Sequence, residues 1–74
     1  MDLRQIEYII AIEQEESISK AAEKLFITQS ALNQQLLKLE KELGMPLFER
    51  KKRQMIPTVA GRISLATSHQ MIDM

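Results

Sequence analysis

The stretch SISKAAEKLFITQSALNQQLLKLEKELGMP, residues 17–46, decides the fold. It predicts two helices with a tight break between them. Ser17 or Ser19 can cap a short helix through Ser-Lys-Ala-Ala-Glu-Lys-Leu that ends near Leu25, because a serine hydroxyl satisfies the free amides of a first turn. Ala21 and Ala22 are small enough to let another helix approach closely. Phe26-Ile27-Thr28 makes a turn, and Thr28 is a fair N-cap for a helix starting at Gln29. In that helix Leu32, Leu36, Leu39 and Leu43 share one narrow stripe at ~100° per residue. Gly44 supplies a left-handed C-cap, and Pro46 keeps the helix from resuming.

Working outward, residues 2–15 read as a helix. Its apolar arc of Leu3, Ile6, Tyr8, Ile9, Ile10 and Ile12 is too wide for one buried stripe, so part of it is expected to face beyond the domain. On the other side, Leu47-Phe48-Glu49-Arg50 and Gln54-Met55-Ile56-Pro57 read as two short strands around a Lys51-Lys52-Arg53 tip. Thr58 then caps a last helix from about Val59. Its apolar residues fall on two arcs, and the expectation is that Val59, Ile63 and Ala66 pack at home. Leu65 and Ile72, with Tyr8 and Ile12 of the first helix, would then meet a second subunit. The fold class expected is mainly α: a winged helix-turn-helix of three helices, a short β-hairpin wing and a long C-terminal helix. Residues 1–58 would form the winged unit and residues 59–74 a separate, dimerising helix.

Two short helices joined by a three- or four-residue turn form a helix-turn-helix, whose second helix enters the major groove. With its leucines turned inward, the second helix presents Ser30, Gln34, Lys38 and Lys41, flanked by Asn33. No charged residue occurs from Thr28 to Leu37. A groove-entering surface needs this, since a carboxylate there would repel phosphates, and Asn and Gln can bond both N6 and N7 of adenine. A solvated polar helix face would show the same local pattern. Leu37 lies on the groove-side flank, either against a thymine methyl or simply exposed.

The formal net charge is zero, yet the charges are segregated. Residues 1–49 carry five Lys/Arg and nine Asp/Glu, whereas residues 50–74 carry five Lys/Arg and one Asp. Arg50, Lys51, Lys52 and Arg53 are consecutive, so a basic edge one element after the recognition helix would lie against the backbone or the adjacent minor groove. A solvated loop is the competing reading of that run.

Ala21-Ala22-Glu-Lys-Leu25, Thr28-Gln29-Ser-Ala31-Leu, Leu39-Glu40-Lys-Glu-Leu43-Gly44, Pro46-Leu47-Phe48-Glu-Arg50 and Thr58-Val-Ala60-Gly61 together resemble the signature of LysR-type transcriptional regulators. The likeness runs without gaps over about residues 1–65. It implies a winged helix-turn-helix of a bacterial, cytoplasmic regulator, a dimerising fourth helix, and binding to partly palindromic promoter DNA as a homodimer, with higher oligomers open to a full-length protein. It also implies an effector-binding domain outside these 74 residues, where any small-molecule effector would act. By the resemblance, Gln29, Asn33 and Gln34 match base-reading positions, with Ser30 among them. Thr28 matches a backbone-contacting position and Arg53 the wing arginine; Lys38, Arg50, Lys51 and Lys52 complete the backbone and wing set. The chain departs from the family's common proline at Ser30, serine at Asn33, arginine at Gln34 and leucine at Pro57. The winged domain of molybdate-responsive regulators is similar too.

Composition narrows the alternatives. The chain has 74 residues, no cysteine and 45% hydrophobic residues, so one small domain without disulfide or thiolate-bound zinc is expected. No apolar run approaches the ~20 residues of a membrane span, and the start lacks a secretory signal. His69 is the single histidine. No nucleophile–base pairing, glycine-rich phosphate loop or metal-ligand spacing is present, so no catalytic site, cofactor or metal is expected. Glu13, Glu15 and Glu16 read as a solvated acidic face. The reading from another class is a helical protein-interaction module with an incidental basic tip.

Overall fold

The computed structural model describes residues 2–51 and 54–73, without the side chains of Ser68, Met71, Ile72 and Asp73. Four helices and one hairpin follow in the order α1 (Leu3–Glu15), α2 (Ile18–Leu25), α3 (Gln29–Leu43), β1 (Phe48–Lys51), β2 (Gln54–Pro57) and α4 (Val59–Asp73). Local chemistry sets most of these boundaries. Asp2 and Gln5 form a reciprocal capping box at the start of α1, each side chain bonding the other's backbone amide at 2.8 and 3.1 Å. Ser17, rather than Ser19, caps α2 by accepting from the Lys20 amide at 3.3 Å. Glu16 and Phe26 close α1 and α2 in the left-handed region, at φ 54° and 58°. Both are non-glycine residues in a conformation that usually belongs to glycine. Gly44 does the same for α3 at φ 74°. Among the described residues, no helix is long and apolar enough to cross a membrane.

The core gathers around α1, which packs against α2, α3, α4 and β2. This arrangement corrects the expected role of its wide apolar arc. Ile12 is 0% exposed within the chain itself, and Ile6 and Ile9 are buried beside it. Tyr8 and Ile10 are half-buried against the same cluster. A helix surrounded by four other elements needs apolar residues on most of its circumference, so Ile12 belongs to the chain's own core, while Leu3 stays exposed and Tyr8 half-buried.

The orientation of α4 also reverses the expectation. Leu65 is 3% exposed and joins the core, whereas Val59 is 78% and Ile63 65% exposed. Ala66 is exposed with them, and Ile72's side chain lies outside the described residues. Gly61 explains the choice. A Cβ built there would stand 1.9 Å from the Leu47 carbonyl oxygen, so only glycine lets α4 lie on the β1 approach. Leu65 follows Gly61 by four residues and shares its stripe. Leu43, expected inward with the other leucines of α3, is 41% exposed because it lies in the last turn, beyond the buried Leu39.

Candidate nucleic-acid interface

Thr28 builds the start of the surface. Its hydroxyl oxygen accepts from the Ala31 amide at 3.0 Å, so the side chain caps α3 and its own O–H is left to donate. The free amides of the first turn and the positive end of the helix dipole lie beside it, which suits an anionic phosphate oxygen. Leu32, Leu36 and Leu39 turn into the core and leave Gln29, Ser30, Gln34, Lys38 and Lys41 exposed on the rest of the helix. The first two turns of that face hold amides and a hydroxyl and no carboxylate. Leu37, 55% exposed, stands on its flank.

Asn33 differs from its neighbours. It is half-buried, and its Oδ1 accepts a hydrogen bond from Nη2 of Arg50 in β1. The structure thus joins a residue expected to read bases to one expected in the wing. Sequence spacing could not show this, because the two stand 17 residues apart, with the rest of α3 and a loop between them.

The hairpin is antiparallel, pairing Phe48 with Pro57, Glu49 with Ile56, Arg50 with Met55 and Lys51 with Gln54. Its first strand begins one residue later than the sequence suggested, because Leu47 is occupied as a clamp. The Leu47 amide donates to Glu40 Oε2 at 2.6 Å, its carbonyl accepts from the Thr58 amide at 2.9 Å, and its side chain is buried. Glu40 also accepts from the Phe48 amide, at 3.4 Å. One carboxylate of α3 therefore anchors the strand leading into the wing, a role with no signature in the sequence. The Met55 amide donates to the Glu16 carbonyl at 3.0 Å, fixing β2 to the end of α1. Phe48 and Met55 turn inward while Arg50 and Lys51 are exposed. Lys52 and Arg53, expected at the tip, lie outside the described residues.

The acidic residues at the end of α1, Glu13, Glu15 and the capping Glu16, each meet a side chain of another element. Glu13 meets His69 Nε2 at 2.9 Å, Glu15 is 3.8 Å from the Lys24 ammonium, and Gln54 donates to Glu16 at 3.3 Å. These pairs are partly exposed, so each contributes little to stability. They secure α1 to α2, β2 and α4.

The family model described as "Bacterial regulatory helix-turn-helix protein, lysR family" matches residues 3–62. The chain belongs to that lysR family. Of the two families it resembles in sequence, the match is to this one, and the chain is a LysR-type helix-turn-helix DNA-binding domain. It is 45% identical over 73 residues to the HTH-type transcriptional regulator BsdA of Bacillus subtilis, covering 97% of this chain and 25% of that protein. To the HTH-type transcriptional regulator BenM of Acinetobacter baylyi it is 44% identical over 61 residues, covering 82% and 20%. The chain thus spans about a quarter of the length of the curated relatives it matches. The DNA-binding domain of BenM in complex with a benA site superposes with a TM-score of 0.92 at 37% identity, over 99% of this chain and 82% of that one. The corresponding CbnR–DNA complex gives a TM-score of 0.91 at 32% identity, over 99% and 84%.

Proposed function

We propose that this lysR-family chain binds a partly palindromic double-stranded promoter site in the cytoplasm, with α3 in the major groove and the hairpin beside it. The observation that carries this reading is the exposed, carboxylate-free face formed by the first two turns of α3. In the proposal Gln29, Ser30, Asn33 and Gln34 face base edges, while Thr28 and Lys38 hold the backbone. Arg50 and Lys51 form a basic edge of the hairpin, and the cations that follow them in sequence, Lys52 and Arg53, add to the same charge. The likeness to DNA-bound relatives supports the same docking.

Gln29→Ala and Gln34→Ala should each cost about 1–3 kcal/mol on a duplex selected by the chain. Binding to random duplex should hardly change, since neither residue is charged. Titrations on both DNAs check this, and equal losses would show that the glutamines only position the backbone. Lys51→Ala is expected to lower the slope of log affinity against log salt by about one unit per subunit. An unchanged slope would mean that Lys51 points into solvent.

The homodimer we propose uses the arc of α4 that the core leaves open: Val59, Ile63 and Ala66. Covering this stripe removes apolar surface from water, at ~25 cal/mol per Å². A two-fold pair would also set the recognition helices one turn or a multiple, ~34 Å, apart along DNA. Ile63→Glu should stay folded and sediment as a monomer with weakened binding to the selected duplex. Persistence of dimers at micromolar concentration would rule out this interface.

A further inference from the structure

The contact between Asn33 and Arg50 changes what that part of the recognition surface can read. A guanidinium carries donors only, so the oxygen of the Asn33 amide must face it. The amide is thereby oriented, with Oδ1 toward β1 and Nδ2 as its remaining polar group. An unattached asparagine suits adenine, accepting from N6 and donating to N7. With α3 in the groove, the pair would offer the Nδ2 donors of Asn33 together with spare donors of Arg50, which is exposed. Adenine N6–H would meet donors and a positive charge. Guanine presents two acceptors, O6 and N7, and matches a pair of donors.

We propose that Asn33 and Arg50 act as one composite reading group that selects guanine where a free asparagine would select adenine. The proposal rests on the reading that α3 enters the major groove. It also gives meaning to two departures from the family pattern. The chain has Gln34 where an arginine is common, and Asn33 where a serine is common. The second change replaces a hydroxyl by a longer amide, whose oxygen holds the guanidinium of β1 while its NH2 stays free to donate, and this brings a guanine-seeking group back beside the first.

The test is selection from a randomised duplex library, followed by competition among the four base pairs at each selected position. The wild-type chain should favour guanine over adenine by about tenfold at one position per half-site. Asn33→Ala should abolish that preference and leave the other positions unchanged. Arg50→Met should shift the same position toward adenine, because the freed Asn33 oxygen can then accept from N6. Far-UV circular dichroism confirms that each variant is folded. Uniform weakening by Arg50→Met with the guanine preference intact would overturn the composite group but not DNA reading by α3. A wild-type chain that selects no sequence at all would overturn the reading of α3 and this inference with it.

Discussion

Leu65→Glu is expected to unfold the domain rather than merely prevent the proposed association. Leu65 is 3% exposed and sits on the inward stripe of α4, in one cluster with Ile12, Leu47 and Met55. The substitution removes a buried leucine, worth about 2–5 kcal/mol by comparison with large-to-small changes in cores. It also places a carboxylate on the inward face of α4, at a further penalty of several kcal/mol that Arg62 and His69, which line the same cleft, offset only in part. A domain of this size is stable by only roughly 5–10 kcal/mol, so the two costs together consume the whole margin. Ile63→Glu, on the exposed arc, should change the folding stability of the subunit by about 0.5 kcal/mol or less. Thermal melts followed by circular dichroism at low protein concentration decide the matter. A cooperative transition for Leu65→Glu near that of the wild type would mean that α4 packs by its other face.

Gly61→Ala should be nearly as damaging, although it adds a single methyl group. The new carbon would lie 1.9 Å from the Leu47 oxygen and 2.9 Å from its carbonyl carbon. Neither atom can yield cheaply, because that carbonyl accepts from the Thr58 amide and the Thr58 hydroxyl holds both the Gly61 amide and the Pro46 carbonyl. Relief requires α4 to lift away from Leu47, which opens the core around Leu65. The expected loss is about 3 kcal/mol or more, the upper end for overpacking. Gly44→Ala makes a useful contrast, since a Cβ there would meet nothing within 4 Å and the penalty is only that of φ 74°. That conformation costs about 1–2 kcal/mol for a residue with a Cβ. Urea titrations of the two variants should therefore rank Gly61→Ala well below Gly44→Ala. The opposite order would show that α4 is not held against Leu47.

Certain properties of this chain are determined locally, and the sequence by itself was enough for them. Thr28, Gly44 and Pro46 bound α3 because capping and the loss of an amide act within one turn of chain. The buried stripe of Leu32, Leu36 and Leu39 follows from helical periodicity alone. The absence of carboxylates from Thr28 to Leu37 needs no structure to be seen. Tertiary structure decided what periodicity leaves degenerate. Two arcs of α4 are comparably apolar, and the contact between Gly61 and Leu47 selects the one carrying Leu65. A glycine inside a helix was the available signal, since it costs about 1 kcal/mol against alanine and commonly marks a close approach. The wide apolar surface of α1 could have served a partner or its own domain, and only the encirclement of that helix sends Ile12 inward. The bonds from Arg50 to Asn33 and from Leu47 to Glu40 join residues far apart along the chain. No local pattern encodes such pairs, because a side chain meets a distant partner only once the core has placed both backbones.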